Sequence, residues 1–330
     1  MRRTLFILAS ILVSGIILVL AVRDVPLQAV GEQLANIDWL WLIICAVIIV
    51  LGLWARGVRW QGLLGWKLTF AQAFHSSNIM FTLNFLPLRL GEVARAVLAA
   101  RYGVPIATAA TGVLIERLID TVLVVVVLSF ALSRLPEAPP LATQTATLFG
   151  IAALVAFVVL LALSRYPKTA ESLVDFFEKL LPFLKRLPLR RILHDILAGL
   201  EPLTHWRGAA HVIGWTLIAW TFSFAGYYSV QRALGIAEID LLLNAFLSVA
   251  LIAFSIAIPV TVASIGPFQG AARVGAEALG LTATVGLSIG ILYHVLTFIV
   301  YSSLGVIGMI ALGVSLGDVT RREQPAAEPT

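Results

Sequence analysis

Runs of apolar residues long enough to cross a bilayer recur along this chain, and about 20 in a row is what a helix needs for one crossing. Six read as complete spans, at about 4–22, 39–57, 116–134, 144–164, 209–231 and 283–314. Two further stretches, 70–101 and 240–278, are apolar but interrupted near the middle by Pro, Gly and polar residues. Inside a bilayer, broken backbone is tolerated only where protein or a water-filled cavity surrounds it. Composition agrees: 60% of residues are hydrophobic and 12% charged, with a mean hydropathy of +0.97, which excludes an ordinary soluble domain.

Lys and Arg in short loops set orientation. Arg2 and Arg3 put the N-terminus in the cytoplasm, and Arg321 and Arg322 bring the C-terminus to the same side. Loop 23–38 holds Arg23 against Asp24, Glu32 and Asp38 and reads as outside. Arg56, Arg59 and Lys67 follow the second span with no acid among them, so that side is cytoplasmic. Loop 165–208, with eight basic and five acidic residues, is cytoplasmic again, and 232–240 is outside. Six spans satisfy these assignments when 70–101 and 240–278 each enter and leave on one side, as re-entrant hairpins. The alternative makes each of them a pair of full crossings. The expected class is therefore an all-α polytopic protein of the cell inner membrane, with about six full spans, or eight or more when the hairpins are counted.

The run after Met1-Arg2-Arg3 reaches Val22 and is long for a signal peptide, so it reads as a retained span. Residues 1–317 form a single membrane domain: a first half at about 39–134, a connector at 165–208 and a second half at about 209–314. The connector carries Leu173, Phe176, Phe177, Leu180, Leu181 and Leu184 at helical spacing, which predicts an amphipathic helix on the inner surface. The polar tail 318–330 is expected to be disordered. The basic residues form no basic domain face, so a nucleic-acid partner is excluded. The one cysteine, Cys45, rules out an internal disulfide. No Walker loop, His-Glu-x-x-His or nucleophile elbow is present, and no metal or cofactor is expected.

The two halves resemble each other. Residues 103–120 align without a gap on 280–297, setting Glu116, Arg117 and Asp120 against Tyr293, His294 and Thr297. With small gaps, Pro87 and Gly91 meet Pro259 and Gly266. Three spans separate the hairpins, so the halves have opposite orientation, and paired broken segments in inverted halves point to a transporter-like site near the midplane. The hairpin tips are expected to meet around Pro87–Arg95 and Pro259–Arg273.

Ionisable residues inside a membrane are costly and mark functional sites. Arg89 precedes a helix that restarts after Gly91, and Glu92 and Arg95 lie on one face of it. A guanidinium is a planar fork suited to phosphate, and a helix N-terminus attracts anions. Glu92 is placed to orient Arg95 or carry a proton. Glu116, Arg117 and Asp120 form a second cluster at a span start, read equally as an interfacial anchor or a site, with Arg117 able to pair with Asp120. The second tip offers Ser264 and Gln269, and His294, the position matched to Arg117, is a further candidate to bind a headgroup or respond to pH. Arg273 and Glu277, four apart, read as a helix-stabilising pair. Gly286 and Gly290 permit close helix packing. Trp39, Trp41, Trp54, Trp60 and Trp66 read as interface anchors.

The order Pro87-x-Arg89-x-Gly91-Glu92-x-x-Arg95, then Glu116-Arg117-x-x-Asp120, then Pro259 and a Gly-rich tip ending in Phe268-Gln269, resembles the lysylphosphatidylglycerol synthase transmembrane region, the flippase-like family. The resemblance runs from about 39 to 314. Many members carry Glu where this chain has Gln269, and Arg where it has His294. It implies movement of amphiphilic lipids between leaflets. Some members carry a cytoplasmic domain that transfers an amino acid from tRNA to phosphatidylglycerol, and this chain resembles the flippase half without it.

These features lead to the expectation of a flippase for a phosphate-containing lipid (phospholipid, glycolipid or polyprenyl-linked), with no catalytic residues. Arg89, Arg95 and Arg117 would hold the headgroup and Glu92 and Asp120 would orient them. The alternatives are a membrane glycosyl or headgroup transferase with Glu92, Glu116 or Asp120 as base, and a scaffold for a lipid-modifying partner. A lipid-biosynthesis enzyme and a second copy of the chain are the further partners considered.

Overall fold

The computed structural model describes residues 2–86, 90–135, 140–180, 190, 193, 203–237, 239–257 and 261–315. Among the described residues the chain is helical and has no strand. In order the helices are α1 (Arg2–Val22), α2 (Leu27–Ala35), α3 (Trp39–Leu63), α4 (Phe70–Leu83), α5 (Gly91–Arg101), α6 (Ile106–Ser133), α7 (Pro140–Arg165), α8 (Pro167–Leu180), α9 (Trp206–Ala233), α10 (Leu241–Ala257), α11 (Pro267–Glu277) and α12 (Ala283–Leu312). Pro87, Arg89, Pro259, most of 181–202 and the tail 318–330 lie outside the described residues.

Local chemistry sets the ends. Asp38 caps α3 by accepting from the Leu40 amide at 2.9 Å. Thr69 and Gln72 close a reciprocal capping box at the start of α4. α3 and α9 end alike: Leu64 is followed by Gly65 at φ 61°, Leu234 by Gly235 at φ 71°. The turns into α6 and α12 also match, with Gly103 at φ 84° and Gly280 at φ 87°. Each of these four positions needs left-handed backbone, which Gly supplies without a Cβ clash.

α3, α9 and α12 are long and apolar enough to cross a membrane alone. α1 with α2, bent by 84°, and α7 with α8, bent by 117°, bring the number to five when each bent pair counts as one span. α6 has 28 residues but carries Glu116, Arg117 and Asp120 within them. It begins at Ile106, ten residues before the predicted start at 116. Glu116 is therefore inside a helix and buried, and not at the helix start that the sequence suggested. α2 corrects the sequence picture too. It lies in the predicted outer loop, where nine residues were too short for a periodic signal.

The helices interlock across the chain. α3 packs along α9 at the centre, α4 packs on α12, and α6 packs on α10. α5 sits between α4 and α6, and α11 between α10 and α12. α1 covers α11, α2 covers α12, and α7 covers α6. Gly286 and Gly290 let α12 approach α11: a Cβ on either would stand 2.8 Å from Arg273 Cα or Ala272 Cβ. The outer surface is apolar, as lipid contact requires, with Leu148, Val93 and Ile310 all exposed.

Candidate functional site

The site is built on one turn of α6. Glu116 and Asp120 are four apart and share a face. Arg59 of α3 reaches both: Nη2 lies 2.9 Å from Glu116 Oε1, and Nη1 lies 2.6 Å from Asp120 Oδ1. Arg59 is 1% exposed. Its Nη1 also donates to Thr216 Oγ1 at 3.1 Å, and the Trp220 indole donates to Asp120 Oδ1 at 2.9 Å, so α9 completes the cluster.

Arg95 enters from α5 and takes the other side of Glu116, with Nη2 at 3.0 Å from Oε2. Its guanidinium lies over the Trp60 ring, 4.0 Å from the centroid. A cation over an indole face is attracted by the ring quadrupole, most strongly where water is excluded. Both residues are fully buried, so Trp60 is the floor of the charged cluster and not an interface anchor. Arg117 points the other way on α6 and pairs with Glu92 of α5 at 2.8 Å, both side chains partly exposed. The expected pairings Glu92–Arg95 and Arg117–Asp120 are thus corrected. Residues three apart on one helix face are neighbours, but here the partners on the adjacent helix come within 3.0 Å and 2.8 Å.

Beside the cluster lies a cavity of about 330 Å³, lined by Glu116, Arg117, Asp120, Asn84, Arg56 and Trp220 among others. A second cavity of about 160 Å³ adjoins it and reaches His294 and Thr297. Arg56, Phe85, Trp220, Ser264 and Tyr301 wall both.

The second tip is held by polar contacts and a ring stack. Gln269 Nε2 and His294 Nδ1 are 2.9 Å apart. The His294 ring stacks on Phe268 at 4.4 Å and 11°. Gln269 also accepts from the Gly266 amide at 2.9 Å, holding the start of α11. The two tips touch through the main chain, where the Ala263 amide donates to the Phe85 carbonyl at 2.9 Å. Arg273 and Glu277 pair at 2.9 Å on the surface of α11.

A family model described as the lysylphosphatidylglycerol synthase TM region matches residues 7–305. The chain belongs to this family. Comparison with curated proteins and with solved structures gave no match. The lysylphosphatidylglycerol synthase region thus extends over α1 and α2, further than the residue-39 start that the sequence resemblance suggested. It ties the chain to membranes and to lipid biosynthesis or transport.

Within this member of the family, Glu92, Arg95, Glu116, Arg117 and Asp120 come together in one cluster, while Ser264, Gln269 and His294 gather at the second tip. Arg89 lies outside the described residues. Arg56, Arg59, Trp60 and Trp220 belong to the site but carried no obvious signal. Arg56 and Arg59 read as loop charges because the span seemed to end at residue 57, whereas α3 runs on to Leu63. Among the described residues no group of His, Cys, Asp and Glu is arranged to hold a metal ion.

Proposed function

We propose that the protein moves an anionic, phosphate-containing lipid between the leaflets of the cell inner membrane. The headgroup passes through the cavity beside Glu116, Arg117 and Asp120 while the acyl chains stay in lipid. The cavity carries this reading: its wall is charged, yet Thr121 and Phe254 on its rim are exposed on the apolar outer face. A chain with its head in such a cavity has a lateral exit for its tails between α6 and α10.

An inverted repeat underlies the proposal. The contacts α4–α12 and α6–α10 exchange halves, as do α3–α4 with α9–α10, α4–α5 with α10–α11 and α5–α6 with α11–α12. Glu92–Arg117 and Gln269–His294 are each 25 residues apart and occupy equivalent helices. The bent pairs α1–α2 and α7–α8 extend the correspondence beyond the two halves at 39–134 and 209–314. In this reading α4–α5 and α10–α11 are re-entrant hairpins, both termini are cytoplasmic, and 1–317 is one domain. Arg59 engages both Glu116 and Asp120, which leaves neither free as a general base and favours transport over group transfer.

The test is reconstitution into vesicles with headgroup-labelled phosphatidylglycerol, a glycolipid and a polyprenyl phosphate, each followed by accessibility to an impermeant quencher. Protein-dependent movement of at least one anionic lipid is expected. Unchanged leaflet distributions for all three would sink the idea.

A further inference from the structure

The charge balance around the cavities is uneven. Among the described residues, four guanidiniums (Arg56, Arg59, Arg95 and Arg117) meet three carboxylates (Glu92, Glu116 and Asp120). Three of the arginines are ion-paired. Arg56 has no carboxylate within ion-pair distance among the described residues. Its Nη2 donates to Ser223 Oγ at 2.9 Å, and its guanidinium lies 5.8 Å from the Phe81 ring centroid. A cation in a membrane interior whose direct contacts among the described residues are a hydroxyl and a ring is costly, and such residues mark pathways for charged groups.

Its position is equally specific. Arg56 is part-buried in the last third of α3, and it walls both cavities. On one side stand Glu116, Arg117 and Asp120, and on the other His294 with no carboxylate in the wall. An anion moving between the two cavities meets Arg56 in either. Ser223 leaves part of the guanidinium fork unpaired, and a phosphate oxygen pair is the ligand that fork accepts best.

We infer that Arg56 is the anion-holding residue of the site, engaging the phosphate of the lipid headgroup where the two cavities meet. Arg59 and Arg95 then serve as the fixed framework. This rests on the transport reading for the direction of traffic, but the anion contact itself does not require movement. The chemistry is a net-anionic phosphate, supplied by a lipid headgroup or by free phosphate.

Purified full-length protein in neutral detergent is titrated with dioctanoyl phosphatidylglycerol, dioctanoyl phosphatidylcholine and inorganic phosphate, and binding is read from intrinsic tryptophan fluorescence and from the thermal midpoint. Wild type is expected to prefer phosphatidylglycerol to phosphatidylcholine. Arg56→Gln is expected to weaken phosphatidylglycerol about tenfold or more, and Arg56→Lys to keep the preference with lower affinity. Arg134→Gln, outside both cavities, leaves binding unchanged. Binding of inorganic phosphate with the same Arg56 dependence identifies free phosphate as sufficient, and its absence makes the lipid the ligand. Equal binding by wild type and Arg56→Gln, or no anionic preference in wild type, overturns the inference. Should Arg56→Gln not fold, loss of preference in Arg56→Lys overturns it equally. Leaflet movement is measured separately: Arg56-dependent binding without movement removes the transport reading and leaves the anion site standing.

Discussion

Glu92 and Arg117 join α5 to α6 through a 2.8 Å ion pair, and 177 residues later Gln269 and His294 join α11 to α12 at 2.9 Å. One joint is charged and the other can be neutral. Each joint is matched in hydrogen-bonding capacity: a carboxylate meets a guanidinium in the first, and an amide meets an imidazole in the second. A lone Gln opposite an Arg would leave a charge in the interior unmatched.

Arg117→Gln is expected to cost little stability and much function. The pair is part-exposed, with Arg117 at 35% and Glu92 at 27%, and exposed pairs contribute no more than about 1 kcal/mol. Thermal midpoints in detergent should stay near wild type, while lipid movement falls severalfold. A large drop in midpoint with movement retained would assign the pair a purely structural role.

The buried acids should follow a fixed order of damage. Asp120→Asn leaves Glu116 to serve both Arg59 and Arg95, whereas Glu116→Gln leaves Arg59 with Asp120 but takes from Arg95 the carboxylate it pairs with. Breaking a buried pair costs about 3–5 kcal/mol. Thermal midpoints are expected to fall in the order wild type, Asp120→Asn, Glu116→Gln, and the reverse order of the two variants would refute the shared-acid arrangement.

Trp60 separates packing from its interaction with a cation. Trp60→Phe keeps a ring beneath Arg95 and should cost about 1 kcal/mol or somewhat more, since Phe is the weaker partner. Trp60→Ala removes the floor and should cost about 3–5 kcal/mol. Similar midpoints for the two variants would show that the ring face contributes nothing.

Two glycines test the tips. Gly266 has φ 94°, and a Cβ there would stand 2.8 Å from Ser14 O and Leu18 N of α1. Gly280 has φ 87° with open space around it. Gly280→Ala should cost about 1–2 kcal/mol of backbone strain, and Gly266→Ala clearly more, read from denaturation in mild detergent. Equal costs would mean that α1 does not hold the second tip.

Much of this was legible in residue order. The apolar runs located α1, α3, α7, α9 and α12, and the Pro and Gly breaks fell between α4 and α5 and between α10 and α11. Charge spacing found five of the cluster's acids and bases but paired them within one helix, because sequence neighbours are visible and neighbours across a fold are not. Arg59, Trp60 and Trp220 were hidden for the same reason. Arg59 and Trp60 lie beyond the apparent end of a span, where charge at the helix end looks like solvent-facing loop. Trp220 looks like any aromatic in an apolar run until Asp120 is seen beside it.

The contact between the hairpins has one more consequence. The Ala263 amide and the Phe85 carbonyl are main-chain atoms, so no side-chain exchange other than proline at 263 deletes their bond. A link made this way survives mutation on either side of it as long as the local backbone keeps its course. The side chains flanking it are then free to change in charge and size while the link between the two tips stays as it was.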